Sequence, residues 1–212
     1  MRFRPSLYAL SFLLLTACHH PAATPKRSFS SYFRPTPVRD TLHLEISTDT
    51  IVGRVIPKPL FYKSLPAKLI KEVDYLADSS EVQLFGRQQF PLNDGLIAYW
   101  VEVKQFWFQY QALLVYNPRK KIFTDWVPVA EWIGGDGGQS LTGSWLFDYD
   151  GDGRKDLIRR IIDHSMVPNG EEWTENLQES GALLLWKNGQ FVETPVPDTA
   201  AFIRRFPIRS FW

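Results

Sequence analysis

Apolar and polar side chains alternate through residues 99–116, and this period of two constrains the fold more than any other feature of the chain. Tyr99, Val101 and Val103 fall on one face of a first segment, and polar residues dominate the other face. A second segment repeats the alternation with apolar side chains at Phe106, Phe108, Tyr110, Ala112, Leu114 and Tyr116. Such alternation predicts two neighbouring β-strands rather than helices.

Other segments of the chain also predict β-strands. Residues 42–56 predict two short strands, and residues 122–132 predict a longer one that Pro128 interrupts. Because proline cannot donate a backbone hydrogen bond, its position indicates a sheet edge or a bulge. Residues 181–193 contain an Asn-Gly pair between apolar runs, which predicts a tight hairpin.

One segment favours a helix. Ser64 is a candidate N-cap, Pro66 suits the first turn, and the helix is expected to end near Asp78. Its apolar stripe consists of Ala67, Ile70, Val73 and Ala77. We therefore expect a mainly β fold with one short packed helix, in which an antiparallel meander is sandwich-like or partial-propeller-like.

The most specific motif is an aspartate-rich loop at residues 148–156. Its carboxylates occupy loop positions 1, 3, 5 and 9, at Asp148, Asp150, Asp152 and Asp156. Gly153 at position 6 permits a sharp turn, and Arg154 at position 7 can offer its backbone carbonyl. This pattern suits Ca²⁺, which takes oxygen ligands at about 2.3–2.6 Å. The alternative is a metal-free acidic turn held by hydrogen bonds from backbone N–H groups to aspartate side chains.

Position 12 and the flanking residues distinguish this loop from an EF-hand. Position 12 is Arg159, where an EF-hand has a bidentate glutamate, and the flanking residues predict strands rather than helices. Residues 145–163 resemble the aspartate-rich loops of FG-GAP and VCBS-type repeats. That resemblance implies a structural calcium ion. It does not imply a propeller, because the motif occurs once in a short chain.

The N-terminus has the features of an export signal. Arg2 and Arg4 precede an apolar run from Leu7 to Leu15, and small residues lead to Cys18. Leu-Thr-Ala-Cys at residues 15–18 resembles the bacterial lipobox, and this resemblance implies that Cys18 carries the lipid. An ordinary signal peptide with a chance cysteine is the alternative.

This reading divides the chain into a signal peptide (1–17), a proline-rich, lipid-anchored tether (18–40) and a single calcium-binding, β-rich domain (41–212). His19, rather than aspartate, follows the cysteine, which favours the outer over the inner membrane. Cleavage would remove two of the 24 basic residues and leave 22 against 23 acidic ones. A chain so close to neutral is not expected to bind nucleic acid.

Two further features suggest ligand contacts. Trp100 and Trp107 lie among polar residues, so they could form an exposed platform for a sugar or a partner; a second packing layer under the helix is the alternative. The glycine-rich segment 134–140 could form a rim near the metal, with Asp136 as an added ligand. The alternative there is a plain long connection.

The whole pattern resembles small exported bacterial lipoproteins that share a lipobox, a β-rich domain, one aspartate-rich loop and a late Leu-Trp-Lys-Asn-Gly hairpin. The resemblance implies no reaction, and the sequence presents no catalytic constellation. The leading hypothesis is a non-enzymatic envelope module that binds another protein or stabilises an assembly. A carbohydrate-binding module and, ranked lower, an envelope hydrolase that uses acidic residues near the loop are the alternatives.

Overall fold

The computed structural model describes most of the chain after residue 26. The described ranges are 27–37, 40–46, 53–71, 81–106, 108–135, 137–170, 172–196 and 198–209. Cys18, Trp107 and Asp136 lie outside the described residues, and so does the predicted signal segment.

The described residues form one sheet of eleven strands. The strands are β1 (Arg34–Pro35), β2 (Thr41–Leu44), β3 (Arg54–Val55), β4 (Gln83–Pro91), β5 (Ile97–Gln105), β6 (Phe108–Asn117), β7 (Ile122–Gly135), β8 (Gly138–Phe147), β9 (Asp156–Asn169), β10 (Glu172–Lys187) and β11 (Gln190–Thr194). From β4 to β11 each strand pairs antiparallel with the next one along the chain. The predicted antiparallel meander is therefore confirmed.

The short N-terminal strands extend this meander at two places. β1 pairs with β4 in parallel, and β3 pairs with β4 in antiparallel orientation, so both lie along the same strand. β2 instead pairs with β8, about a hundred residues later in the sequence. Both additions bring the beginning of the described chain into the sheet.

Helices make up a small part of the described residues. They are α1 (Lys58–Ser64), α2 (Ala67–Lys71) and α3 (Thr199–Arg205), with 3₁₀ turns at Phe29–Tyr32 and Asn93–Gly95. The mainly β prediction with a small helical part is thus confirmed, although the described residues contain three short helices where one was expected.

The predicted helix start was wrong in one respect. Ser64 does not cap α2; it is the last residue of α1, and its hydroxyl donates to the carbonyl oxygen of Leu60 at 2.7 Å. The physical reason lies in Pro66, because the residue before a proline avoids helical geometry. Leu65 is accordingly extended and separates the two helices. The expected helix end near Asp78 lies outside the described residues.

Both faces of the central strands are buried. One face of β4–β7 packs against α1, α2 and the first 3₁₀ turn. The other face contributes to a second cluster that also contains residues of β2, β8, β9 and β10: Leu44, Phe90, Leu92, Ala98, Trp100, Leu113, Val115, Val127, Val129, Leu146, Leu157, Leu184 and Trp186. Because strands from both halves of the strand order share this cluster, the sheet curls over on itself.

The outer face of β9 and β10 is covered by α3, which Arg160 holds in place. The buried guanidinium of Arg160 donates to the carbonyl oxygens of Ser180, Ile203 and Phe206 and to Glu179. Gly181 lies beneath the helix, where a Cβ atom would come within 2.9 Å of Phe202. The absence of a side chain at this position therefore lets α3 approach the sheet closely.

The Asn-Gly turn and the bulge at Pro128 lie where the sequence predicts them, whereas Phe106 does not. Asn188 and Gly189 have φ of 53° and 83° and close the β10–β11 hairpin, as predicted. The β6–β7 register shifts beside Pro128, which confirms the expected bulge. Phe106, expected on a strand face, lies instead in the β5–β6 turn with φ of 41° and is 81% exposed.

The predicted tether is too long at its C-terminal end. Phe33 is 2% exposed and packs edge-on against Tyr99 with ring centroids 4.9 Å apart. Pro35 joins β4 through an edge strand, a position in which a missing N–H is tolerated. The proline content suggested an extended tether, but aromatic burial next to those prolines draws this segment into the fold.

We expect that Phe33→Ala lowers the free energy of unfolding by about 3–5 kcal/mol, because it removes a fully buried ring from a packed aromatic cluster. The matched variant is Phe106→Ala, which removes the same ring from an exposed position and should change stability by no more than about 0.5 kcal/mol. Urea unfolding of the full chain measures both. Equal effects of the two substitutions would show that residues 27–37 do not belong to the cooperative fold.

Candidate metal centre

The aspartate-rich segment connects β8 to β9 at one end of the sheet. Phe147 and Asp156 are the last paired residues before the loop, so the segment is the connection of a hairpin. The predicted flanking strands are therefore confirmed. At the same end lie the β4–β5 turn and the C-terminal end of β10, because Asn93 and Trp186 both hydrogen-bond to residues of this region.

Aspartate side chains fold the loop around its own backbone. Asp148 accepts from the N–H groups of Gly151 and Gly153 at 2.8 and 2.9 Å through its two carboxylate oxygens. Asp150 accepts from the N–H of Asp152 at 3.2 Å. Both glycines have φ above 80°, a conformation that side-chain-bearing residues rarely adopt. The sequence therefore fixes a tight, carboxylate-lined turn.

Three of the predicted ligands come together. Asp148, Asp150 and Asp156 each place one carboxylate oxygen within 4.8 Å of the others, and this group could hold a metal ion. Asp152 is not part of that group, and its carboxylate accepts from the N–H of Arg154 at 2.8 Å. The described residues thus assemble a three-carboxylate site from the loop and the first residue of β9.

Asp156 is the buried member of the group, with 2% of its surface exposed. Its two carboxylate oxygens accept from the N–H groups of Trp186, at 2.8 Å, and Tyr149, at 3.0 Å. Burial raises the pKa of the Asp156 carboxyl above its ordinary 3.8, and these two N–H groups lower it; the charges of Asp150 and Asp152 raise it further. A cation beside these carboxylates would offset their mutual repulsion.

The β4–β5 turn supports the loop from the side. The side-chain amide of Asn93 donates to the carbonyl oxygen of Lys155 at 2.8 Å and accepts from the N–H of the same residue at 2.7 Å. Asp94 accepts from the indole N–H of Trp186 at 2.7 Å. These residues were missed by sequence reasoning. The Asn-Asp-Gly turn signal was present, but nothing local indicates a contact 62 residues away.

Trp100 does not provide an exposed platform. It is 5% exposed, its indole N–H donates to Gln111 Oε1 at 3.1 Å, and the guanidinium of Arg87 lies 4.3 Å from its ring centroid. The expectation of an open stacking surface is therefore wrong for this residue, which lies in a packing layer; that layer is formed with the other half of the sheet and not, as the alternative had it, under the helix. The reason is that a second sheet half covers the polar-looking face. Trp107 lies outside the described residues.

The glycine-rich segment does not form a rim near the metal. Gly134 and Gly135 end β7, Gly138 begins β8, and the hairpin closes between them. The aspartate-rich loop leaves the other end of β8, so ten strand residues separate the two features. Asp136 itself lies outside the described residues. Gly135 pairs directly with Gly138, which also corrects the alternative of a plain long connection.

Comparisons with protein-family models, with curated proteins and with solved structures found no match to this chain.

None of the helices in the described part of the chain has the length and apolar character needed to cross a membrane.

We expect that Asn93→Ala lowers the free energy of unfolding by about 1–3 kcal/mol, because it leaves both backbone groups of Lys155 without their side-chain partner. Asn169→Ala is the control, since Asn169 is exposed near the tip of the β9–β10 hairpin. Urea unfolding in the presence of a chelator separates this effect from metal binding. An Asn93→Ala variant as stable as the control would show that the two turns are not energetically coupled.

The raised pKa of Asp156 also predicts a pH dependence in the absence of divalent cations. Since the folded pKa lies above the ordinary value, the folded state keeps a proton that the unfolded state releases as the pH rises beyond 3.8. The stability that this group contributes is therefore lost as the pH rises from 3.8 through the folded pKa. An NMR titration of the Asp156 carboxyl carbon, with the urea-unfolded chain as reference, measures the shift. A folded midpoint at or below the reference would contradict it.

Proposed function

We propose that this chain is a lipid-anchored protein of the bacterial cell envelope whose calcium-stabilised β domain acts as a binding or structural module rather than as an enzyme. The observation that carries the metal assignment is that one carboxylate oxygen from each of Asp148, Asp150 and Asp156 lies within 4.8 Å of the other two. The anchoring assignment rests on the lipobox-like residues before Cys18.

Calcium is the cation that suits these ligands best. The candidate donors are carboxylate oxygens, which favours a hard cation over zinc or copper. Because Ca²⁺ takes six to eight oxygens, three carboxylates are supplemented in this proposal by Asp152, the carbonyl of Arg154 and water. Mg²⁺ demands a stricter octahedral arrangement and keeps more of its own water, so a flexible loop favours the larger ion.

A structural role for the ion follows from the connections of the loop. Asp156 is hydrogen-bonded to Trp186 on β10, and Lys155 is hydrogen-bonded to Asn93 in the β4–β5 turn. An ion bound here would hold the aspartate-rich loop, the β4–β5 turn and the end of β10 in one arrangement. It would stabilise the end of the domain without taking part in a reaction.

The first test is thermal unfolding of the full chain in EDTA and then in millimolar calcium. A ligand that binds only the folded state adds about 2.7 kcal/mol at a hundred times its dissociation constant, so calcium should raise the Tm clearly. Asp150→Asn removes one member of the carboxylate group and should abolish most of this rise.

The matched control is Asp163→Asn, which removes the same charge from an exposed position on β9 and should leave the calcium effect unchanged. Magnesium at equal concentration should give a smaller rise. If calcium did not change the Tm of the unsubstituted chain, the metal assignment would be lost. Equal losses in both variants would reduce the effect to general charge screening.

The anchor is tested separately. We expect the full chain, expressed in a bacterial host, to incorporate a labelled fatty acid and to partition with membranes, and Cys18→Ser to lose both properties, since two or more acyl chains hold a protein stably on a bilayer. Mass spectrometry of the N-terminal peptide identifies the modification. A processed chain that begins after an unmodified signal peptide would support the ordinary signal-peptide alternative.

A further inference from the structure

The β9–β10 hairpin extends well beyond the rest of the sheet, and one edge of it is open. β10 has sixteen residues, of which only Leu183–Lys187 pair with β11. Among the described residues, no other strand pairs with β10 on that side between Glu172 and Gln178. We call residues 163–170 and 172–179 the outer hairpin.

The register identifies which backbone groups face the open edge. In the β10–β11 hairpin Lys187 and Gln190 flank a two-residue turn, so the backbone groups of Lys187 point toward β11. The backbone groups of every second residue before Lys187 point toward the same edge of β10. The N–H and C=O groups of Trp173, Glu175 and Leu177 therefore face the open edge. Those of the residues between them face β9.

The outer hairpin also exposes apolar side chains on one face. Because directly paired residues share a face, Trp173 and Leu177 lie on the same side as Met166, which pairs with Glu175. Trp173 is 64% exposed, Leu177 51% and Met166 39%. At its base this face borders a groove of about 400 Å³ between the hairpin and α3, lined in part by Ile162, Ile203 and Ile208. The face thus offers contacts for apolar side chains of an added strand.

The outer hairpin and the residues next to it are rich in acidic side chains. Residues 161–180 contain five acidic side chains and neither lysine nor arginine. Arg160, at the base, pairs with Glu179, and His164 pairs with Glu175 at 2.8 Å. Glu172 and Asp163 are exposed, and neither forms an ion pair within the described residues. The surface therefore attracts cations and repels a second copy of itself.

We infer that the open edge of β10 binds an extended, lysine- or arginine-bearing segment of another polypeptide, which adds to the sheet as a further strand beside Trp173–Leu177. Backbone hydrogen bonds supply affinity in such strand addition, and alternate side chains supply selectivity. Here the selective contacts are the exposed apolar face and, on the opposite face of the hairpin, the exposed carboxylates of Asp163 and Glu172. The inference deepens the proposed binding function and rests on it, because it names the class of partner.

The test uses the full chain and a capped synthetic peptide of about eight residues in which lysine alternates with valine, a length typical of a strand. Amide hydrogen exchange is followed by NMR as the peptide is added. We expect new protection at Glu175 and Leu177, whose N–H groups face the edge, and little change at Thr174 and Asn176, which already bond to β9. A peptide with glutamate in place of lysine should bind about tenfold more weakly or less.

One substitution tests the backbone contribution. Glu175→Pro removes an N–H that faces the open edge, where proline is tolerated in a strand, and should weaken binding of the lysine peptide by about tenfold. Glu175→Gln is its matched control: it removes the same charge but keeps the N–H, so it should bind more tightly than the proline variant. Equal affinities of these two variants, or absence of alternating protection at saturating peptide, would overturn strand addition.

Two further results separate the alternatives. A concentration-dependent dimer in sedimentation equilibrium, lost in Glu175→Pro, would overturn the inference in favour of a second copy of this chain. Calcium stabilisation with no edge protection would reject the edge inference and leave the calcium proposal standing. Edge protection without any calcium effect would reject the calcium proposal alone and support the edge as the binding surface.

Discussion

The carboxylate of Asp156 joins the aspartate-rich loop, the start of β9 and the end of β10. It is buried at the start of β9, and it accepts one hydrogen bond from the aspartate-rich loop and one from β10. Trp186, which gives the second bond, reaches the β4–β5 turn through its indole. The end of the sheet is thus built around one negative charge that is both desolvated and hydrogen-bonded.

The same arrangement explains why a cation suits this position. Burial of a carboxylate is costly unless charge and hydrogen bonds compensate for it, and two backbone N–H groups compensate only in part. Asp148 and Asp150 add further negative charge a few ångströms away. Their glycine-dependent turn holds them there, because Gly151 and Gly153 allow the backbone to fold back on itself. In this proposal the ion supplies the missing positive charge.

Local patterns predicted the local structure well. Period-two alternation identified β5 and β6, the Asn-Gly pair identified the β10–β11 turn, and the spacing of aspartates identified the loop. Each of these features depends on residues close together in the sequence, so the physical cause lies within the segment itself. The predicted helix start was wrong for a local reason as well, because Pro66 keeps Leu65 extended and so separates Ser64 from α2.

Long-range contacts could not be predicted in this way. Trp100 and Glu102 alternate with apolar residues, which suggests a solvent-facing side, yet both are buried, and Trp100 packs in the cluster shared with the other half of the sheet. Glu102 is compensated there by Arg87, Gln109 and Lys104. The contact between Asn93 and Lys155 depends likewise on the curl of the whole sheet. Alternation of apolar and polar residues shows which side chains share a face of a strand. It does not show whether that face is covered by another part of the protein or exposed to solvent.

The pairing of β2 with β8 has a consequence for the order of events during folding. β8 follows β2 by about a hundred residues, whereas within the meander from β4 to β11 each strand pairs with the next one along the chain. Closing such a long loop carries a larger entropic cost than forming a hairpin, so non-local pairs form slowly. During synthesis β2 therefore waits longest for its partner, since β1 and β3 pair with the earlier strand β4. We expect β2 to join the sheet after the hairpins of the meander have formed.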